Sequence, residues 1–246
     1  AISPGSAAFL DGLGAWKRVD RERICAVHEM LVHGDGADAR LQFSAYESGV
    51  PELAWIVENR QLQAVLWQGL EHQHKLELVC PDRCVSLQLR DDAAELTLAS
   101  GRTLRAGLVV AADGMHSWVR QAAGMAAEQK SYGQMGVVAN FRCAGAHHNA
   151  AYQWFREDGV LAYLPLPGQR MSMVWSTPDA HAAELLALPA EVLCARVAEA
   201  GKHALGNLDL LSAPMQFPLA RLRAPRLAAP RIALIGDAGH VLHPLA

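Results

Sequence analysis

Two apolar runs that each end in an acidic-glycine turn constrain this chain more than any other feature. Leu108-Val109-Val110-Ala111-Ala112 leads into Asp113-Gly114, and Ile232-Ala233-Leu234-Ile235 leads into Gly236-Asp237. Runs of this length with apolar residues on both faces read as strands buried between layers, the pattern of a parallel sheet. In an open α/β sheet, ligands sit beyond the carboxyl ends of the strands. Gly236 there lets a ligand approach the backbone, and Asp237 can accept hydrogen bonds from ribose hydroxyls. The plain alternative is an ordinary strand-to-helix turn with an aspartate cap. Ser117 and Arg120 follow the first turn at fixed offsets. Arg120 falls in the first turn of a new helix, where the dipole does not favour a cation. Pairing with Asp113 or meeting a phosphate would explain it; a solvated arginine is the alternative.

The rest of the chain falls into two interleaved compositions. Residues 1–20, 52–125 and 226–246 read as α/β, with amphipathic helices over 4–16 and about 60–72. Residues 21–51 and 126–225 read as antiparallel β with helices. Four alternating strands, near 137–143, 151–155, 160–166 and 171–176, precede one or two helices over 180–204 punctuated by Pro189. Interleaving means two domains that share the chain discontinuously. The chain opens on Ala1 in a helix-start pattern and stops at Pro244-Leu245-Ala246, soon after a strong strand-turn motif. The expectation is a piece of a longer protein.

Composition excludes several classes. Apolar residues are 51% and charged residues 19%, which suits a packed interior. The 22 basic and 25 acidic residues form no single-sign block, which argues against a nucleic-acid partner. No apolar run approaches the roughly 20 residues of a membrane span. Five scattered cysteines make no zinc pattern and suit free thiols in a reducing cytosol. Asp237, His240 and His243, spaced three apart, raise a metal-dependent hydrolase as a lesser alternative. Pro244 disfavours the helix that would put them on one face. No GxSxG supports a serine hydrolase.

Taken together and in this order, the motifs resemble the flavin-dependent aromatic hydroxylases of the para-hydroxybenzoate hydroxylase fold, and within them the ubiquinone-biosynthesis hydroxylases. Ala1-Ile2-Ser3, Val57-Glu58-Asn59-Arg60-Gln61-Leu62, Asp113-Gly114 with Ser117 and Arg120, Gly159 to Leu166, Val174-Trp175-Ser176, Phe217-Pro218-Leu219, and Gly236-Asp237-Ala238-Gly239-His240 through Ala246 carry the likeness. The resemblance implies a truncated FAD-binding α/β domain with an interleaved antiparallel β-sheet substrate domain. Arg60 would contact the flavin side of the cleft. Asp113 and Gly114 would lie near the pyrophosphate and the nicotinamide approach. Asp237, with Gly236, would bind the ribityl or pyrophosphate region, and Pro244 would sit beside the reactive edge of the ring. Tyr152, Trp154, Tyr163 and Trp175 are candidates to line an aromatic substrate, although alternation turns only some of them inward. The implied reaction hydroxylates a (polyprenyl) phenol in ubiquinone biosynthesis with FAD, NAD(P)H and O2. The implied location is cytoplasmic, with peripheral contact at the inner face of the membrane or in a biosynthetic complex.

Two departures accompany the likeness. The family's N-terminal strand-GxGxxG-helix has no counterpart. Gly34-Asp35-Gly36-Ala37-Asp38-Ala39 would turn two carboxylates on a diphosphate, and a strand follows it. The glycine-rich turn and long helix that usually follow the second motif are also missing. Hence this piece by itself is expected not to retain FAD, and a truncated non-catalytic chain or a binding module without flavin is the alternative reading.

Overall fold

The computed structural model describes residues 1–36 and 39–243. Along the chain run α1 (Pro4–Gly12), β1 (Cys25–Val27), β2 (Glu29–His33), β3 (Arg40–Ser44), β4 (Ala54–Ile56) and α2 (Asn59–Glu71). There follow β5 (Cys84–Leu89), β6 (Ala94–Leu98), β7 (Thr103–Ala106), β8 (Val109–Ala111) and α3 (Trp118–Ala122). Then come β9 (Glu128–Cys143), β10 (Ala150–Arg156), β11 (Gly159–Leu166), β12 (Arg170–Pro178), α4 (Asp179–Ala187) and α5 (Ala190–Ala200). The last are β13 (Leu208–Leu210), β14 (Met215–Arg223), β15 (Ala228–Ala229), β16 (Ile232–Leu234) and β17 (His240–Val241). The fold is mixed α/β and dominated by strands.

The chain divides into two compact units, Ala1–Leu76 with Gln134–Pro218, and Glu77–Gly133 with Leu219–Ala246. Residues 1–20 and 52–76 thus group with the large sheet, where the sequence reading set them with the other α/β segments. The physical reason is their own burial: Ala7, Leu10 and Trp16 share a core with Val65 of α2, and Val27 and Ile56 bury against Ala151 of β10.

In the first unit the sheet order is β9-β12-β11-β10-β2-β3, with β13 on the far side of β9. Neighbours are antiparallel except β2 and β10, which run parallel. Alternation splits this sheet into two chemically different faces. On one face Val137, Ala139, Phe141, Leu161, Tyr163, Met171, Met173 and Trp175 form a core with Ala182 and Leu185 of α4 and Leu193 and Val197 of α5. The Tyr163 hydroxyl donates to the Val197 carbonyl at 2.5 Å, satisfying its one polar atom under the helix. Pro178 and Pro189 stand at the N-caps of α4 and α5, where a missing N–H forfeits no helical bond. The opposite face carries Val138, Asn140, Ala162, Leu164, Leu166, Ser172 and Val174, all partly exposed.

The second unit holds a meander, β5-β6-β7, and a small sheet ordered β15-β16-β8. In it β16 runs parallel to β8, with Ile232 opposite Val109, Ala233 opposite Val110 and Leu234 opposite Ala111. Its core gathers Ala94, Val109, Ala111, Val119, Ile232 and Leu234. The chain breaks at Gly107-Leu108, so β7 and β8 join different sheets. Only one face of β8 is buried: Val109 is 7% exposed and Val110 is 50%.

Candidate functional site

The second unit brings the two acidic-glycine turns side by side. Parallel pairing of β8 and β16 puts Asp113-Gly114 and Gly236-Asp237 beyond the carboxyl ends of adjacent strands. Gly114 has φ +81° and Gly236 φ +55°, left-handed conformations that glycine adopts without strain. A Cβ at either would meet nothing within 4 Å, so both backbones lie open to an approaching ligand. Asp237 opens a single 3-10 turn, Gly236–Ala238, and its exposed carboxylate has no hydrogen bond or ion pair among the described residues.

Asp113 is engaged differently. Its Oδ2 accepts the Val119 N–H at 3.1 Å, and Ser117 Oγ accepts the Arg120 N–H at 3.0 Å, so both hold the first turn of α3. Burial alone would raise the Asp113 carboxyl, but hydrogen bonds from Ser117 and the Val119 N–H more than offset it and hold the group below the ordinary aspartate range.

Arg120 neither pairs with Asp113 nor reaches outward. It is 6% exposed, and its guanidinium donates to the Ala238 carbonyl at 2.7 Å and the Met115 carbonyl at 2.8 Å. These acceptors belong to the two motif turns, so Arg120 is a clip between them. With two of its amino groups committed to backbone, its chemistry here is structural.

In the first unit, Arg60 stands in the first turn of α2, a helix with no acidic residue in that turn. Its exposed guanidinium has no ion pair among the described residues, and a cation at a helix N-terminus gains nothing from the dipole, which suits a group waiting for an external anion. The same unit carries a cavity of about 560 Å³ on the open face of the sheet, lined among others by Ile56, Glu58, Asn140, Leu164, Leu166 and Ser172.

The aromatic candidates lie elsewhere. Trp154, Tyr163 and Trp175 are 2%, 2% and 0% exposed, packed in the core that α4 and α5 cover, and Tyr152 is packed against that core. The register explains it: Tyr152, Trp154, Tyr163 and Trp175 share the parity of the helix-covered face, whereas the open cavity is lined from the other parity. Sequence reasoning missed Asn140 and Ser172. The alternation showed that the sheet has two faces but not which of them the helices cover. Pro244 lies outside the described residues. Among those residues no group of three His, Cys, Asp or Glu could hold a metal, so the Asp237, His240, His243 alternative gains no support.

A parallel pair of strands ending in open glycine turns, one beside a free carboxylate, is the architecture of a dinucleotide-cofactor domain. The chain belongs to the FAD binding domain family, whose sequence profile matches residues 2–246. Over 246 residues it is 37% identical to 3-demethoxyubiquinol 3-hydroxylase of Escherichia coli (strain K12), and 33% identical to ubiquinone hydroxylase UbiL of Rhodospirillum rubrum. All of this chain is matched in both, against 62% and 57% of the relatives, so it spans about three fifths of the curated relatives' length. Among solved structures, PqsL of Pseudomonas aeruginosa, described as a probable FAD-dependent monooxygenase, superposes with a TM-score of 0.82 at 25% identity, covering 99% of this chain and 69% of that one. The p-nitrophenol 4-monooxygenase PnpA of Pseudomonas putida shares the fold, with a TM-score of 0.75 at 16% identity over 99% of this chain and 63% of that one.

Proposed function

We propose that the protein carrying this chain is an FAD-dependent monooxygenase that uses NAD(P)H and O2 to hydroxylate a (polyprenyl) phenol in ubiquinone biosynthesis. The observation that carries the reading is the pair of open acidic-glycine turns on adjacent parallel strands. The names of the relatives supply the pathway.

The residues present suit FAD. Asp237 offers an unpaired carboxylate to ribityl or ribose hydroxyls, and Gly236 and Gly114 leave room for a pyrophosphate against the backbone. When bound, FAD supplies the redox chemistry that inserts one oxygen atom of O2 into the ring at the expense of a hydride from NAD(P)H. This chain's own share is divided by unit: the glycine turns would hold the cofactor, and the open face of the large sheet would orient the ring.

A polyprenyl tail also requires contact with a bilayer or a carrier complex. Among the described residues no helix is long and apolar enough to cross a membrane; peripheral contact at the inner face is the form proposed for a polyprenyl substrate.

In the full-length protein, Asp237→Ala is expected to raise the FAD dissociation constant about tenfold, the worth of one charge-assisted hydrogen bond. Flavin absorbance after gel filtration reads it; full occupancy in the variant removes Asp237 from the cofactor site. For the reaction, a prenylated phenol is expected to stimulate NADPH oxidation and appear as a hydroxylated product. Equal rates with and without any phenol would argue against a hydroxylase.

A further inference from the structure

The reaction just proposed needs a ring held in one orientation, and the open face of the sheet carries a polar pair suited to that task. Asn140 of β9 lies directly opposite Ser172 of β12, and Leu164 of β11 lies opposite Ser172 on its other side. Opposed residues on one face of an antiparallel pair stand about 5 Å apart at Cβ, close enough to grip one small group together. One step along the same face the row is Val138, Val174 and Ala162, all apolar.

The backbone of Asn140 is locked: its N–H donates to Ser212 Oγ at 3.0 Å, and its carbonyl accepts the Leu211 N–H at 2.8 Å. Its side-chain amide and the Ser172 hydroxyl, by contrast, make no hydrogen bond among the described residues, and both line the cavity of about 560 Å³. Two of the cavity's ionic side chains, Arg23 and Glu58, are paired with each other through two contacts, at 3.1 and 2.5 Å. Arg170 Nε donates to the Pro167 carbonyl at 2.8 Å. Asn140 and Ser172 thus add a neutral donor-and-acceptor pair, without hydrogen bonds among the described residues, to a wall shared with Ile56, Leu164, Leu166 and Leu211.

We infer that Asn140 and Ser172 bind the ring hydroxyl of a phenolic substrate and so set which ring carbon is presented for reaction. An amide and a hydroxyl together supply both the acceptor that a phenol O–H needs and the donor that its oxygen takes. The apolar neighbours accept the remainder of the ring and the start of an alkyl substituent. A site built around a hydroxyl discriminates strongly against the analogue that lacks it, because its polar groups are then left unpaired. The inference rests on the monooxygenase reading above.

The test uses the full-length flavoprotein and equilibrium dialysis with two probes, a short-chain 2-prenylphenol and the same prenylated ring without its hydroxyl. Asn140→Leu and Ser172→Ala are each expected to weaken phenol binding about tenfold while leaving the deoxy ring within about twofold, and Ser172→Thr to restore most of the phenol affinity. Parallel losses for both probes would mean that the pair only shapes the cavity, and unchanged phenol binding would remove it from recognition; either result overturns the assignment. Wild-type protein that hydroxylates phenols while the variants keep the phenol-over-deoxy preference sinks the anchor alone. Wild-type protein that neither binds nor hydroxylates any phenol sinks the monooxygenase reading and the anchor with it.

Discussion

Arg120→Met is expected to lower the thermal midpoint of the unit that carries the two glycine turns by about 5–10 °C, from a loss of about 2–3 kcal/mol. Methionine keeps much of the stem volume and removes the donors. The Met115 and Ala238 carbonyls then lose the bonds they receive at 2.8 and 2.7 Å, in a place where Arg120 itself is only 6% exposed. Relief from burying an unpaired guanidinium offsets part of this loss, which is why the net figure is below the sum of two stranded carbonyls. The same variant should release FAD more readily, since the clip joins the turns of the Asp113-Gly114 and Gly236-Asp237 motifs. Arg120→Lys keeps the charge but not the planar fork, so it is expected to fall between the two. Thermal melts and flavin retention of the three full-length proteins test this together. A variant Arg120→Met that melts with wild type and keeps its flavin would show that the turns need no clip.

Gly159→Ala should be worse, at about 4 kcal/mol or more, and is expected to abolish soluble accumulation of the protein. Gly159 has φ +126°, a conformation that L side chains rarely adopt, and a Cβ there would run into the backbone carbonyl of Ser176. That carbonyl cannot step aside easily, because β12 is paired on both edges, with β11 and with β9. Gly168→Ala is the control: it also has positive φ, +74°, but nothing lies within 4 Å of an added Cβ. Only conformational strain of about 1–2 kcal/mol applies there. Comparable soluble yields and denaturant midpoints for the two variants would show that the clash at Gly159 relaxes.

The strand-and-turn elements around the site were readable from the residues because their signals are local. The apolar run 232–235 ending in Gly236-Asp237 needs only its own sequence to announce a strand and a left-handed turn. Likewise Pro189 punctuates the helical stretch, and the alternation in β9 to β12 marks strands with two faces. The family likeness was readable for the same reason, since it rests on short motifs in a fixed order, and the FAD binding domain family does match residues 2–246. Other features were hidden because they depend on partners distant in sequence. Arg120 meets Ala238 across 118 residues, so a basic residue that looked poised for a phosphate proved to be spent on carbonyls. Parity alone could not say which face of the sheet the helices take, and the aromatic side chains drew attention to the covered one.

What the sequence by itself determined is therefore the inventory: two acidic-glycine strand ends, a two-faced antiparallel sheet, and the order that joins them to a flavin family. Tertiary structure alone decided which of these residues are free to act. Among the described residues, Asp237, Arg60, Asn140 and Ser172 keep polar groups without partners, whereas Arg120, Trp154, Tyr163 and Trp175 are consumed by packing. The reason is physical: element formation follows local periodicity and turn chemistry, but a side chain's availability depends on what long-range pairing brings against it.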